Sequence, residues 1–264
     1  MTRSIRPRAA AWLLAAASLG LALPSRAAPV TFLGVDVGLG ETTRLSSHPN
    51  ADAARNAFLG HLLPGIAVET FESIAASAPP ALIGRTLTLG FAGAGAVLQG
   101  PGMVINSPAP STVNPVNGIP SGVYPVSGLR AWLSADDFEV RFDQAQVAFG
   151  FYGVDIGDFN GQLELELVHV DGGITRVLAS NGVRTNGGSV QYFGLLSTDR
   201  AFTAVRFGNT APVGFDGFVF DDLTIGTLDQ LARVPEPGTL ALALPALLGV
   251  TALRVRRARR TRGR

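Results

Sequence analysis

The fold class is indicated most clearly by the stretch QLELELVHV, residues 162–170. Its leucines alternate with glutamates, which is the pattern of an antiparallel strand with one face in the core and the other in water. We therefore predict inward leucines and outward carboxylates, and we place His169 on the wet face. The sequence Asp-Gly-Gly at 171–173 then predicts a hairpin turn into a second strand over residues 174–178.

Similar short segments, rich in β-branched, aromatic and alternating apolar residues, recur along the chain. They cover residues 30–37, 66–71, 86–91, 138–142, 146–152, 188–196, 201–207 and 218–225. This regular spacing predicts an all-β protein, an antiparallel β-sandwich of the jelly-roll type. Residues 51–63 are the best candidate for a helix, and the Gly-, Pro-, Ser- and Asn-rich stretch 99–125 predicts a long surface loop.

Composition excludes several kinds of chemistry. The 264 residues contain no cysteine, so disulfides, thiolate metal sites and a cysteine nucleophile are excluded. All 20 acidic residues lie within 28–237, where only 10 arginines accompany them. Because this acidic segment would repel a phosphate backbone, we predict no nucleic-acid partner despite the formal net charge of +1.

The N-terminus has the features of a secretory signal peptide. Three arginines, an apolar run over 9–23, and small residues at Ser25 and Ala27 follow one another in the expected order. We therefore predict cleavage after Ala27. The chain then divides into a signal peptide (1–27), a β-sandwich ectodomain (28–233) and a C-terminal segment (234–264).

The C-terminal segment starts with a Pro-Glu-Pro motif at Pro235, Glu236 and Pro237, followed by an uncharged stretch over 238–253. As a helix at about 1.5 Å per residue, that stretch would span roughly 24 Å, a marginal transmembrane length. Arginines close the chain at Arg254, Arg256, Arg257, Arg259, Arg260, Arg262 and Arg264. Arginines hold their end of a span in the cytoplasm, which predicts an external ectodomain; a plain stop-transfer anchor is the alternative.

This order of motif, apolar span and arginine cluster resembles the PEP-CTERM sorting domain of Gram-negative bacteria, with Pro235, Glu236 and Pro237 matching its signature triplet. The resemblance implies recognition and processing by exosortase, a membrane-embedded transpeptidase-like enzyme. It also implies a precursor anchored in the inner membrane, and delivery to the cell surface or extracellular matrix. Association with exopolysaccharide and biofilm follows from the same resemblance.

Two stretches of the ectodomain also resemble PEP-CTERM ectodomains and, more loosely, carbohydrate-binding jelly rolls. They are FGFYGVDIGDF at 149–159 and FDGFVFDDLTI at 215–225. In several of those families, acidic residues near the first and last strands share a structural calcium ion. The resemblance implies calcium ligands here at Glu69 or Glu72 and at Asp221 or Asp222. Carboxylates suit calcium, although such residues also serve as solvated strand ends or turn residues.

Aromatic side chains are candidates for stacking on sugars. We single out Trp132 and Tyr152, with Tyr124 and Tyr192 as further candidates. Core or cross-strand packing is the alternative role for aromatic residues in strands.

The sequence contains no convincing catalytic arrangement. The three histidines are scattered without metal-ligand spacing, and the acidic cluster at Asp136, Asp137 and Glu139 is typical of a turn. We therefore predict that the protein is not an enzyme. Our leading hypothesis is an exosortase-sorted surface or matrix protein. The alternatives are an envelope carbohydrate-binding module, with or without calcium, and a polysaccharide hydrolase that uses paired carboxylates.

Overall fold

The computed structural model describes residues 27–77, 84–91, 94–107, 120–134, 136–157, 161–179, 186–210 and 217–232. The signal peptide, the Pro235–Pro237 sorting motif, the C-terminal apolar span and the arginine cluster lie outside these residues, so the predictions for them stay predictions. Within the described residues, no helix is both long and apolar enough to cross a membrane.

The described residues form thirteen strands and one α-helix. In chain order these are β1 (Val30–Asp36), α1 (Pro49–Leu59), β2 (Val68–Glu69), β3 (Gly84–Phe91), β4 (Ala94–Pro101), β5 (Met103–Asn106), β6 (Arg130–Ser134), β7 (Phe138–Gln146), β8 (Ala148–Val154), β9 (Leu163–His169), β10 (Ile174–Leu178), β11 (Val190–Leu196), β12 (Phe202–Asn209) and β13 (Phe218–Gly226). A 3₁₀ turn follows at Leu228–Gln230.

The strands form two antiparallel sheets. The seven-stranded sheet has the order β1-β11-β8-β13-β6-β5, with β2 also pairing with β13, and the six-stranded sheet has the order β10-β9-β12-β7-β4-β3. Apolar side chains from both sheets meet in one buried cluster. The prediction of an all-β antiparallel protein is therefore confirmed, with the two sheets packed over a shared core.

Aromatic rings fill the space between the sheets. Phe207 on β12 stacks on Phe138 of β7, with ring centroids 4.2 Å apart, and both rings make edge contacts with Phe220 of β13. Phe151 of β8 joins the group at 5.4 Å from Phe207. Offset and edge-to-face contacts of this kind add to the stabilisation from buried apolar area.

Helix α1 covers the outer face of the seven-stranded sheet. Phe58 is fully buried there, and a Cβ atom at Gly194 would lie 2.8 Å from its ring, so the glycine makes room for it. Asp36, at the end of β1, accepts hydrogen bonds from the backbone N–H groups of Asn50 and Ala51 at 3.2 and 2.8 Å. This carboxylate therefore caps the helix N-terminus, since the first N–H groups of a helix have no partner within it.

The helix and loop predictions need correction. The helix runs over Pro49–Leu59 rather than 51–63. The predicted loop over 99–125 is wrong in its first part, because Gln99 and Gly100 belong to β4 and Met103–Asn106 form β5. Met103, Val104 and Ile105 are all buried, so this short apolar run is a strand despite the Gly and Pro residues before it.

The strand from which the fold class was predicted is confirmed as β9, with one correction. Its leucines are buried and its glutamates half-buried, but His169 is also buried, because it has the same parity as the leucines. Its Nδ1 lies 3.2 Å from the carbonyl oxygens of Arg200 and Ala201, so Nδ1 carries the proton, and Nε2 lies 2.8 Å from Thr175 Oγ1. Burial lowers the pKa of His169.

Candidate functional site

The outer face of the six-stranded sheet carries a row of polar side chains that crosses five strands. The residues pair in register, and from edge to interior they are Arg176 on β10, Glu166 on β9, Arg206 on β12, Glu139 on β7 and Gln99 on β4. Arg176 Nη2 lies 2.8 Å from Glu166 Oε1, and Arg206 Nε lies 2.8 Å from Glu139 Oε2. We call this set the charged row.

Two arginines hold Glu139 in its ionised form. Arg141, two residues along β7, donates to Glu139 Oε1 at 2.6 Å, while Arg206 donates to the other oxygen. Desolvation by itself would raise the pKa of Glu139, but the hydrogen bonds from Arg206 and Arg141 outweigh it and lower that pKa. The carboxylate is thus fixed in charge and in position.

A cleft of about 430 Å³ adjoins the charged row, and we call it the outer-face cleft. Its lining residues are Gln99, Asp137, Phe138, Glu139, Glu164, Glu166, Arg206, Phe207 and Gly208. Gly208 lies opposite Glu164 in the pairing of β12 with β9. A Cβ atom at Gly208 would lie 3.7 Å from the Glu164 carbonyl oxygen and 3.9 Å from Asp137 Oδ1, so the missing side chain leaves open space between the two acidic residues.

The chemistry of the cleft is that of hydrogen bonding. Its carboxylates accept hydrogen bonds, and the Arg206 guanidinium and the Gln99 amide donate them. The volume lies within the range of about 300–1,000 Å³ that is typical of small-molecule sites. The sequence predicted that Glu164 and Glu166 face outward, but it did not identify a binding site. The available signal was Gly208 within a strand, because a glycine there often marks a place where a ligand or another backbone approaches closely.

The carboxylates predicted to bind calcium have a different role. Glu69 is buried on β2 and accepts hydrogen bonds from the backbone N–H groups of Phe71 and Gly90 at 2.7 and 2.9 Å. Glu72 Oε1 accepts from the backbone N–H groups of Leu129 and Arg130 at 2.8 and 2.6 Å. Both side chains therefore serve as acceptors for otherwise unpaired backbone donors.

Asp221 and Asp222 lie where β13 changes partner. The strand pairs with β6 up to Phe220 and with β2 from Leu223, and a bulge between them gives Asp222 a positive φ of 49°. Asp221 Oδ2 accepts from the backbone N–H groups of Val126 and Ser127, each at 2.9 Å. Burial, and next the charge of Asp222, raise the pKa of Asp221 to about 8.

The calcium site that the resemblance implies at Glu69 or Glu72 and at Asp221 or Asp222 stays a prediction. Among the described residues, no three or more His, Asp or Glu side chains are grouped so that they could hold a metal ion. Glu72, Asp221 and Asp222 instead hold the segment 126–130, which leads into β6; Asp222 Oδ1 accepts from Ser127 Oγ at 2.7 Å. These three carboxylates therefore clamp the backbone of this segment.

The aromatic residues predicted to bind a ligand are core residues. Trp132 is fully buried, with its ring centroid 6.2 Å from that of Phe138. Tyr152 is 4% exposed, and its hydroxyl donates to Asp52 Oδ1 at 2.5 Å; burial and this hydrogen bond raise its pKa. Tyr124 and Tyr192 are buried as well. None of these four rings has a face exposed for stacking on a sugar.

The sequence matches no protein-family model, and no curated protein sequence is similar to it. Among solved structures, the K2 cleaved adhesin domain of Lys-gingipain has a TM-score of 0.34 at 14% identity, covering 61% of this chain and 97% of that one. The C-terminal family 22 carbohydrate binding module of Clostridium thermocellum Xyn10B has a TM-score of 0.33 at 12% identity, covering 62% of this chain and 95% of that one. Similarities of this size do not establish what this chain binds.

Proposed function

We propose that this chain is an exported cell-surface protein whose ectodomain binds carbohydrate in the outer-face cleft. The observation that carries the proposal is the cleft itself, in which fixed polar side chains surround an open space above Gly208. Sugars present many hydroxyl groups, each of which donates and accepts, so they suit a site that offers both carboxylates and guanidinium or amide donors.

The ion pairs of the charged row prepare the cleft for binding. Arg206 bridges Glu139 at 2.8 Å and Glu166 at 3.6 Å, so these three side chains are held before any ligand arrives. A site with preset side chains loses less conformational entropy when it binds, and its affinity is correspondingly higher. Oligosaccharide recognition through hydrogen bonds depends strongly on such preorganisation.

The character of the lining argues against other classes of ligand. Four carboxylates and one guanidinium line the cleft, which disfavours phosphate-bearing ligands such as nucleic acids. Phe138 and Phe207 are the aromatic lining residues, and both are buried, so neither offers an exposed ring face to an aromatic ligand.

A matched pair of glycine substitutions tests the site. Gly208→Val should fill the cleft and weaken glycan binding about tenfold or more, because the branched side chain occupies the open space. Gly90→Val is the control: Gly90 lies on the same outer face, and no described atom is within 4 Å of its added Cβ. Binding would be screened on a glycan array and measured by calorimetry, with circular dichroism to confirm folding.

Each outcome of the binding measurements leads to a different conclusion about the site. Loss of binding in Gly208→Val alone supports the cleft as the site. Unchanged affinity in Gly208→Val would move the binding site elsewhere, and wild-type protein that binds no glycan would overturn the proposed function.

We further propose that the domain binds polysaccharide without cleaving it. A glycosidase needs a protonated carboxylic acid with a raised pKa beside a second carboxylate, whereas Glu139 is held ionised by Arg206 and Arg141. Incubation of the protein with the glycan that it binds should release no reducing ends. Release that disappears in Glu164→Gln would establish hydrolysis instead.

The proposal for export rests on the two ends of the sequence. It includes a signal peptide over 1–27, a membrane span after Pro237, and exosortase and the inner membrane as partners during sorting. A jelly-roll connectivity of the sandwich is a separate proposal, which rests on the spacing of the strand segments. Mass spectrometry of the native protein should find Ala28 at the N-terminus and a C-terminus near Pro237. An intact arginine tail on the secreted protein would favour a plain anchor.

A further inference from the structure

Electrostatics narrow the class of sugar that the outer-face cleft accepts. Among the described lining residues, Asp137, Glu139, Glu164 and Glu166 are acidic, and Arg206 is the basic one. Two further arginines lie outside the cleft: Arg176, at the end of the charged row, binds Glu166, and Arg141, beside the row, binds Glu139. Together the three arginines pair with Glu139, Glu164 and Glu166.

The three glutamates differ in how closely an arginine pairs with them. Glu139 is bonded by Arg141 and Arg206, and Glu166 by Arg176 at 2.8 Å, so the charged row largely neutralises itself. Glu164 lies one row away, with 3.5 Å between its Oε1 and the Nε of Arg176, an arginine that is engaged more closely by Glu166.

Glu164 is also the most accessible of these paired carboxylates. Its side chain is 43% exposed, compared with 18% for Glu139 and 23% for Glu166. It borders the open space above Gly208, across which Asp137 lies. A ligand in the cleft therefore meets the exposed, weakly paired carboxylate of Glu164 at the Gly208 end and a neutralised row at the other.

We propose that the outer-face cleft selects polysaccharides whose sugar units carry free, protonated amines, with Glu164 as the residue that determines this specificity. The inference rests on the proposed function and specifies its ligand. An ammonium group donates three hydrogen bonds and carries the complementary charge, so it suits the Gly208 end of the cleft. An N-acetylated unit lacks that charge, and a uronic acid unit would be repelled.

The long-range field favours the same class of ligand. The segment 28–237 carries all 20 acidic residues against 10 arginines. An acidic protein raises the local concentration of a cationic polymer at low ionic strength. This general attraction also means that a cationic polymer could adhere non-specifically, so the experiment must separate the cleft from the overall charge.

The test compares three oligosaccharides by calorimetry: an oligomer of glucosamine, the same oligomer fully N-acetylated, and an oligouronate. The glucosamine oligomer should bind about three- to tenfold more tightly than its N-acetylated form, the size expected for one partly exposed ion pair. The oligouronate should bind least. The preference for the amine should disappear above the pKa of the amine, while binding of the N-acetylated form stays unchanged.

Two isosteric substitutions separate the cleft from the overall charge. Glu164→Gln should remove the preference for the amine. Asp143→Asn, on the same strand as Glu139, removes the same charge, and the asparagine can still accept from the N–H of Gly95, which Asp143 does at 2.8 Å. The Asp143→Asn protein should keep the preference.

Each result bears on one proposal or on both. Equal affinity for the amine and N-acetylated oligomers would overturn the inference and leave carbohydrate binding intact. An equal loss of preference in Glu164→Gln and Asp143→Asn would also overturn it, in favour of general electrostatic attraction. No binding of any glycan would overturn the inference together with the proposed function.

Discussion

The two sheets of this protein differ in what covers their outer faces. In the seven-stranded sheet, β8, β11 and β13 are buried along their whole length, because helix α1 and its neighbouring segments cover the outer side. In the six-stranded sheet, β9 alternates between buried and half-buried residues, and its outer face meets solvent. The first sheet is therefore covered on both faces, and the second leaves its outer face open to solvent.

The same difference in cover also determines the role of the carboxylates on each sheet. Asp221, inside the seven-stranded sheet, is buried, holds backbone N–H groups and has a pKa raised to about 8. Glu139, on the open face of the six-stranded sheet, is paired with arginines and has a lowered pKa. Residues of the same chemical type thus hold backbone N–H groups on one sheet and form surface ion pairs on the other.

The largest expected effect comes from truncating an apolar side chain of α1 that is buried against the covered sheet. The comparison is a truncation on the open outer face of the other sheet. Phe58→Ala should destabilise the domain by about 3–5 kcal/mol, because it leaves a cavity beneath α1. Val97→Ala, at a position 38% exposed on β4, should change stability by less than about 1 kcal/mol. Urea unfolding measures both. Similar losses for the two variants would contradict the distinction between a covered and an open face.

A second pair of substitutions tests how closely the helix approaches the sheet. A Cβ atom at Gly34 would lie 2.1 Å from the backbone oxygen of Asn50 in α1. Gly34→Ala should therefore force the helix outward and destabilise the protein by about 1–3 kcal/mol. Gly90→Ala, on the open face, should be neutral or slightly stabilising because it restricts the unfolded chain. Thermal unfolding that shows Gly34→Ala to be neutral would place α1 further from β1.

The smallest expected effect is the change in stability over the single pH unit from 7 to 8. Folding raises the pKa of Asp221 above that of an unfolded aspartate, so the folded state binds this proton more tightly. The contribution is complete below the unfolded pKa of about 4 and is lost as pH rises toward about 8, with a fall of about 1 kcal/mol between pH 7 and 8.

Substitutions identify the group responsible. Asp221→Asn should flatten this pH dependence, whereas Asp143→Asn, at an exposed carboxylate, should preserve it. Urea midpoints measured across this pH range provide the comparison. A wild-type stability that does not fall in this interval would show that Asp221 remains ionised when folded.

Much of the fold was predictable because it depends on local patterns. Alternating leucines and glutamates predicted β9, and the Asp-Gly-Gly sequence predicted its hairpin with β10. The errors were also local in origin: His169 shares the parity of the buried leucines, and Gly and Pro residues obscured β5. A stricter count of alternation would have placed His169 correctly.

The candidate site was less predictable, because it depends on which strands become neighbours. Glu164 and Glu166 were expected to face water, but their proximity to Glu139 and Arg206 follows from β12 lying between β9 and β7. Trp132 and Tyr152 looked suitable for ligand binding, yet Trp132 packs between the two sheets and Tyr152 lies in the cluster on the covered outer face, so both are buried.

By itself, the sequence determined the all-β class, the acidic character of residues 28–237 and the expectation of export, because alternation, composition and terminal signals belong to the chain alone. Only the tertiary structure decided which carboxylates clamp the backbone and which border the open space above Gly208. The physical reason is that strand pairing joins residues far apart in the chain, and a side chain's surroundings set its charge, exposure and partners.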